Sequence, residues 1–110
     1  MKMYYKKNRV TASGEMYYTN AVDAVKDTLK RMFRNDPMVS VEFPTRKSNR
    51  YETPIAIVVG PISDLQIYYV ERSGSTYFVI TDGDRIHLKA FDYEGAINAV
   101  EDWVDGKLNR

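Results

Sequence analysis

The chain contains no cysteine, and that absence removes disulfides, thiolate metal sites, iron–sulfur clusters and cysteine nucleophiles together. There is a single histidine, His87, so a Ser/His/Asp arrangement has one candidate base at most. The six glycines are scattered singly, and no phosphate-cradling loop or dinucleotide fingerprint is present. No apolar run approaches the ~18–20 residues needed to cross a bilayer. The longest, Ile55 to Val59, has the length of a strand. The basic start Met1-Lys2-Met3-Tyr4-Tyr5-Lys6-Lys7 lacks the apolar centre of a signal peptide. These absences describe a soluble, membrane-free chain suited to a reducing cytoplasm, with no cofactor or metal implied.

What is present is enough for one core. The 110 residues are 44% apolar, 28% charged and 13% aromatic. A chain of that size folds as one domain, residues 1–110, and its apolar fraction argues against wholesale disorder. Charge is unevenly placed. Residues 1–50 hold eleven basic and five acidic side chains, +6, and residues 51–110 hold five and ten, −5, which together give the net +1. A split of this kind offers a basic surface for an anionic partner, an acidic one for a basic partner, or mutual neutralisation within the fold.

The pattern predicts an α+β domain. Thr19 or Asn20 caps a first helix whose apolar face is Val22, Val25, Leu29, Met32 and Phe33, and Pro37 ends it. A strand over Met38–Phe43 follows, then a polar, basic loop between Pro44 and Pro54, then a buried strand Ile55–Val59. Gln66–Glu71 and Thr76–Thr81 form a hairpin about Arg72-Ser73-Gly74-Ser75. Asp82-Gly83 carries the signature of a type I′ turn into Arg85–Phe91. Asp92 caps a second helix, about Tyr93–Asp105, with Ala96, Ile97, Val100, Trp103 and Val104 as its stripe and Gly106 as terminator. Short connections make a four- or five-stranded antiparallel meander, with the N-terminal and C-terminal amphipathic helices packed on one face. Residues 1–18 read as an edge hairpin about Ser13-Gly14 or as a partly mobile arm.

Few residues carry chemistry. His87 alternates with Ile86 and Leu88 and so shares a face with Arg85 and Lys89, as a solvated strand histidine does. Asp82-Gly83-Asp84 places two carboxylates on a turn, but without the spacing of a calcium loop. No constellation for an enzyme emerges, and three surfaces remain. Lys6, Lys7 and Arg9, with Arg46, Lys47, Arg50 and Tyr51, compose a basic set able to meet phosphates and stack a base. Glu94, Glu101, Asp102 and Asp105 lie on the polar side of the second helix. Three of them fall near its C-terminus, where the dipole disfavours negative charge by roughly 0.3–1 kcal/mol each. Tyr68, Tyr69 and Tyr77, among nine tyrosines, sit on strands of a sheet with one uncovered face. There they suit a protein partner or a second copy, although tyrosine also simply favours strands.

The run Ser75-Thr76-Tyr77-Phe78-Val79-Ile80-Thr81-Asp82-Gly83-Asp84, leading into the acidic helix Glu94 to Asp105, resembles small phage-encoded anti-defence proteins, anti-CRISPR proteins among them. The likeness is one of general character and spans about a third of the chain without a specific motif. It implies a small viral inhibitor whose carboxylates Glu94, Glu101, Asp102 and Asp105 mimic phosphates toward a basic groove on a nuclease complex. The basic first half departs from the strongly acidic members of that group. The expectation is therefore a non-catalytic protein-binding module or inhibitor acting through the acidic helix and the tyrosine-bearing sheet face. The alternative is a nucleic-acid-binding protein that uses its basic N-terminal half.

Overall fold

The computed structural model describes residues 9–10, 16–17, 21–45 and 51–107. Arg9–Val10 (β1) and Met16–Tyr17 (β2) pair antiparallel in a two-stranded sheet of their own, so this hairpin is no edge of the main sheet. Helix α1, Ala21–Met32, is followed by strands β3 (Ser40–Glu42), β4 (Glu52–Val59), β5 (Asp64–Arg72), β6 (Ser75–Thr81) and β7 (His87–Ala90). Helix α2, Tyr93–Val104, closes the described chain. The five strands form one antiparallel sheet in the order β3-β4-β5-β6-β7, an α+β meander between two helices.

The core explains the arrangement. Val25, Leu29 and Phe33 of α1 and its extension meet Ala96, Ile97, Val100 and Trp103 of α2 over Ala56, Val58, Leu65, Ile67, Phe78 and Ile80 of the sheet. The strand residues alternate, as one buried face of a pleated sheet requires. Both helices therefore cover the same face. Thr28 and Tyr93 join them near the start of α2 through a hydroxyl–hydroxyl hydrogen bond of 2.7 Å. At the other end, Met32 and Phe33 line a depression together with Glu101, Val104 and Asp105.

Several boundaries differ from expectation for local reasons. Asp36 Oδ1 accepts hydrogen bonds from the Met38 and Val39 N–H groups, 2.8 and 3.1 Å, which delays β3 until Ser40. β4 begins at Glu52 and not at Ile55, because a bulge between Pro54 and Ala56 admits the proline. The bulge also turns Ile55 inward, so Ile55 and Ala56 are both buried in succession. The two-residue turn with positive φ at both positions lies at Ser73 and Gly74, φ 51° and 77°. Asp82-Gly83 is no type I′ turn, since only Gly83 has positive φ. Instead Asp82 Oδ1 accepts from the N–H groups of Asp84 and Ile86, both at 2.9 Å, and organises residues 82–86. Those N–H donors, Ile86 first, hold the Asp82 carboxyl below its ordinary pKa. The loop shortens β7 to His87–Ala90.

Helix α2 matches its reading closely. The Asp92 side chain accepts from the Gly95 N–H at 2.7 Å, and Gly106 takes φ 77° just past the end. The N–H groups of Gly106 and Lys107 donate to the carbonyls of Trp103 and Asp102. This closure satisfies two of the carbonyls that helix termini leave without partners.

Candidate functional site

The face of the sheet turned away from the helices is a broad surface that several strands build together. Cross-strand register assigns its residues. Glu42, Ile57, Gln66, Thr81 and His87 form one row; Pro54, Tyr68, Val79 and Lys89 the next; Glu52, Val70 and Tyr77 a third. Val70 on this face is 2% exposed.

Two clefts mark this face, and Tyr68 stands between them. One, of about 480 Å³, is bounded by Tyr68, Pro54, Ile57, Gln66, Glu42 and Pro44. The other, of about 270 Å³, has Val70 and Val79 with Tyr68 and Tyr77, and a polar margin of Arg72, His87, Lys89 and Glu52. The Tyr68 hydroxyl donates to Gln66 Oε1 at 2.8 Å, which fixes the ring on the divide. The Lys89 ammonium lies 5.0 Å from the centre of the Tyr77 ring, and the Phe91 ring packs against Tyr77 at 5.8 Å. Phe91 is 72% exposed, an aromatic ring offered to solvent against the same Tyr77 ring that Lys89 meets. Arg72 is ion-paired to Glu52 at 3.3 Å and lies over the Tyr51 ring at 5.1 Å.

Of the three strand tyrosines expected to meet a partner, Tyr68 and Tyr77 share this open face. Tyr69 does not. It has the parity of Leu65 and Ile67, faces the helices and packs against Phe78 at 5.3 Å, partly buried in the core. Phe91 and Arg72 were missed as site residues. Lys89 and His87 had been placed together by alternation, but without their aromatic neighbour.

The acidic helix divides. Glu101 and Asp105 are exposed and border a depression of about 290 Å³ with Asp36, Met32, Phe33 and Val104. Asp102 is half-buried, and Glu94 lies in the first turn, so the four carboxylates do not form one cluster. The last turn of α2 has no basic residue. The backbone closure by Gly106 and Lys107 explains how that turn tolerates its carboxylates, since it occupies carbonyls that carry the negative end of the dipole.

Within the basic set, Lys6, Lys7, Arg46, Lys47 and Arg50 lie outside the described residues, as does the Arg9 side chain. Tyr51 is 44% exposed at the start of β4. Lys30 and Arg34 gather elsewhere, around Phe43 at the end of β3, with the Lys30 ammonium 5.2 Å from that ring. Among the described residues no three His, Asp or Glu side chains converge as a metal-binding group, and no helix is long and apolar enough to cross a membrane.

One further surface lies at the end of α2. Trp103, 7% exposed, borders a small cleft of about 160 Å³ with Gly60, Pro61 and Val104, and Ile62 beside it is 96% exposed. Its Nε1 is buried with no hydrogen-bond partner among the described residues. Compared with known proteins, the chain matches no family model, no curated protein and no solved structure.

Proposed function

We propose that this chain is a non-catalytic binding module that docks a protein partner on the open face of its sheet. The observation that carries the reading is the placement of Tyr68 and Tyr77 on that face, which no helix covers among the described residues, with a cleft between them. Tyrosine offers large contact area at low entropic cost, and a sheet face built from five strands holds its side chains in fixed relation. Binding energy in such surfaces concentrates in a few aromatic and arginine anchors. The exposed pair Glu101 and Asp105 gives the module a separate acidic end. The likeness to anti-CRISPR proteins then suggests the partner class: a nucleic-acid-binding nuclease complex whose basic groove the acidic end would occupy.

The test is affinity capture from the cell that produces the protein, with Tyr68→Ala/Tyr77→Ala and Glu101→Lys/Asp105→Lys run beside the parent. Circular dichroism first confirms that each variant is folded. A partner retained by the parent and lost with the tyrosine pair supports docking on the sheet. Its loss with the charge-reversed pair adds the acidic end to the interface. Retention by both variants would sink the reading.

A second reading, nucleic-acid binding, is favoured by the exposed Tyr51 ring beside the Arg72 guanidinium. Fluorescence anisotropy with single- and double-stranded DNA and RNA across a salt series distinguishes it, since phosphate contacts weaken steeply with salt.

A further inference from the structure

We infer that the outer edge of β7 takes up an extended, acidic peptide segment as a sixth strand. This deepens the proposal of a protein partner on the open face, and rests on it. β7 ends the sheet, and among the described residues no strand pairs with its outer side. The phase of its hydrogen bonds follows from one contact. The Asp82 N–H donates to the Ile86 carbonyl at 3.3 Å, and 82 and 86 continue the register of Thr81 with His87. Hydrogen-bonded and non-bonded pairs alternate along an antiparallel ladder. Leu88 and Ala90 therefore turn their backbone groups toward β6, and His87 and Lys89 turn theirs outward. Two N–H and two C=O groups stand ready for an incoming chain, the arrangement that strand addition uses.

The opposite edge is less receptive. β3 has three residues, and past its reach β4 carries Pro54 at a bulge, where no N–H exists. β7 has no proline.

Charge chooses the occupant. His87 and Lys89 direct their side chains to the open face, and Arg85 is exposed just before them. Residues of an added strand that lie directly opposite His87 and Lys89 are two apart and share that face. The Cα atoms of those two positions stand about 5.5 Å from those of His87 and Lys89, so carboxylates there reach the Lys89 ammonium and the imidazole N–H. The residue between them falls on the other face, against Leu88, which is 36% exposed. The recognised pattern is acidic–apolar–acidic. A second copy of β7 fits poorly, because pairing centred on Leu88 sets Lys89 opposite His87 with no carboxylate to meet it and brings one Arg85 from each copy to the same edge.

The experiment is fluorescence polarisation with a labelled peptide of alternating Glu and Val flanked by Thr, its Lys-for-Glu counterpart, and a version N-methylated at each Glu. His87→Pro removes an outward N–H together with the imidazole and leaves the pairing with β6 intact, so the variant is expected to keep its thermal midpoint. Lys89→Glu reverses the charge. The acidic peptide should bind saturably and protect the His87 and Lys89 amides from hydrogen exchange. Lys-for-Glu exchange, N-methylation, His87→Pro and Lys89→Glu should each weaken it about tenfold or more. N-methylation alters the ligand alone and so remains decisive should a variant fail to fold.

Absence of saturable binding, or binding indifferent to N-methylation and His87→Pro, overturns the proposal. So does a dimer in light scattering that His87→Pro abolishes, which would give the edge to a second copy. Competition by a single-stranded oligothymidine equal in parent and His87→Pro also overturns it, in favour of nucleic acid. Partner capture lost in Tyr68→Ala/Tyr77→Ala with no peptide bound refutes the edge and spares the open-face reading. Peptide binding that survives in that variant while partner capture is unchanged does the reverse.

Discussion

A methyl group added at Gly60 has no room. An ideal Cβ there would stand 2.9 Å from the Ser63 carbonyl oxygen and 3.0 Å from Trp103 Cη2. The oxygen cannot retreat freely, because it accepts the Gly60 N–H at 3.1 Å in the turn between β4 and β5. The indole is packed at 7% exposure. Gly60 is absent from the glycines with positive φ, so Gly60→Ala is opposed by contact and not by backbone strain. Overpacking of this kind costs about 1–3 kcal/mol, against about 0.4–1 kcal/mol regained from a stiffer unfolded chain. A net loss of about 1–2 kcal/mol corresponds to a fall of roughly 5–15 °C in Tm for a domain of this size.

Urea titration followed by circular dichroism measures the loss in every background, including those without Trp103, the only tryptophan. A double-mutant cycle separates its sources. Trp103→Phe withdraws the outer ring of the indole but leaves the Ser63 oxygen, so Gly60→Ala should cost about 0.5–1 kcal/mol less in that background. Gly83→Ala is the control. It meets nothing within 4 Å but has φ +87°, and should lose about 1–2 kcal/mol whatever stands at Trp103. Gly60→Ala within about 0.5 kcal/mol of the parent, or equally costly in both backgrounds, would refute the steric account.

Three further outcomes follow from contacts described above. The Asp82 carboxyl, depressed chiefly by the Ile86 N–H and then by Asp84, stabilises the fold above its unfolded value and loses that contribution as pH falls through its lower folded value. Urea midpoints should therefore separate Asp82→Ala from the parent at neutral pH and converge in acid. Glu101→Lys places a cation in the last turn of α2 and should raise stability by about 0.3–1 kcal/mol in urea titration at low salt, whatever it does to partner capture. Tyr93→Phe removes the 2.7 Å bond to Thr28 and should cost about 0.5–1.5 kcal/mol by urea titration. Thr28→Val added to it should recover part of that loss, since neither hydroxyl is then left unpaired.

Where local chemistry and tertiary demand agree, the sequence was legible. Asp92 and Gly106 bound α2 as cap and terminator because the orphan groups of a helix end are met by its immediate neighbours. Proline misled the reading of β4, since the bulge that accommodates Pro54 depends on pairing with Tyr68 and Ile67 in β5. Of the two turns, the hairpin at Arg72-Ser73-Gly74-Ser75 matched its reading and the one at Asp82-Gly83 did not. Asp-Gly favours positive φ, but register placed the tight turn at Ser73-Gly74 and left Asp82 to organise a longer loop. The tyrosines were half legible. Alternation separates Tyr68 from Tyr69, and the parity of Leu65 and Ile67 shows which of the two turns inward. The exposed position of Phe91 against Tyr77 had no such signal, because it arises where β7 gives way to α2.

The order of strands in the sheet repeats their order in the chain. Each strand pairing thus closes only a short loop, at small entropic expense, and such topologies fold quickly. The exception is α1, whose Thr28 meets Tyr93 across a separation of 65 residues. On the ribosome α1 emerges before the five-stranded sheet, and well before Ala96, Ile97 and Val100 that complete its cover. Throughout synthesis the Val25–Leu29–Phe33 stripe stays partly uncovered, and the sheet grows strand by strand beside a helix that waits for its partner.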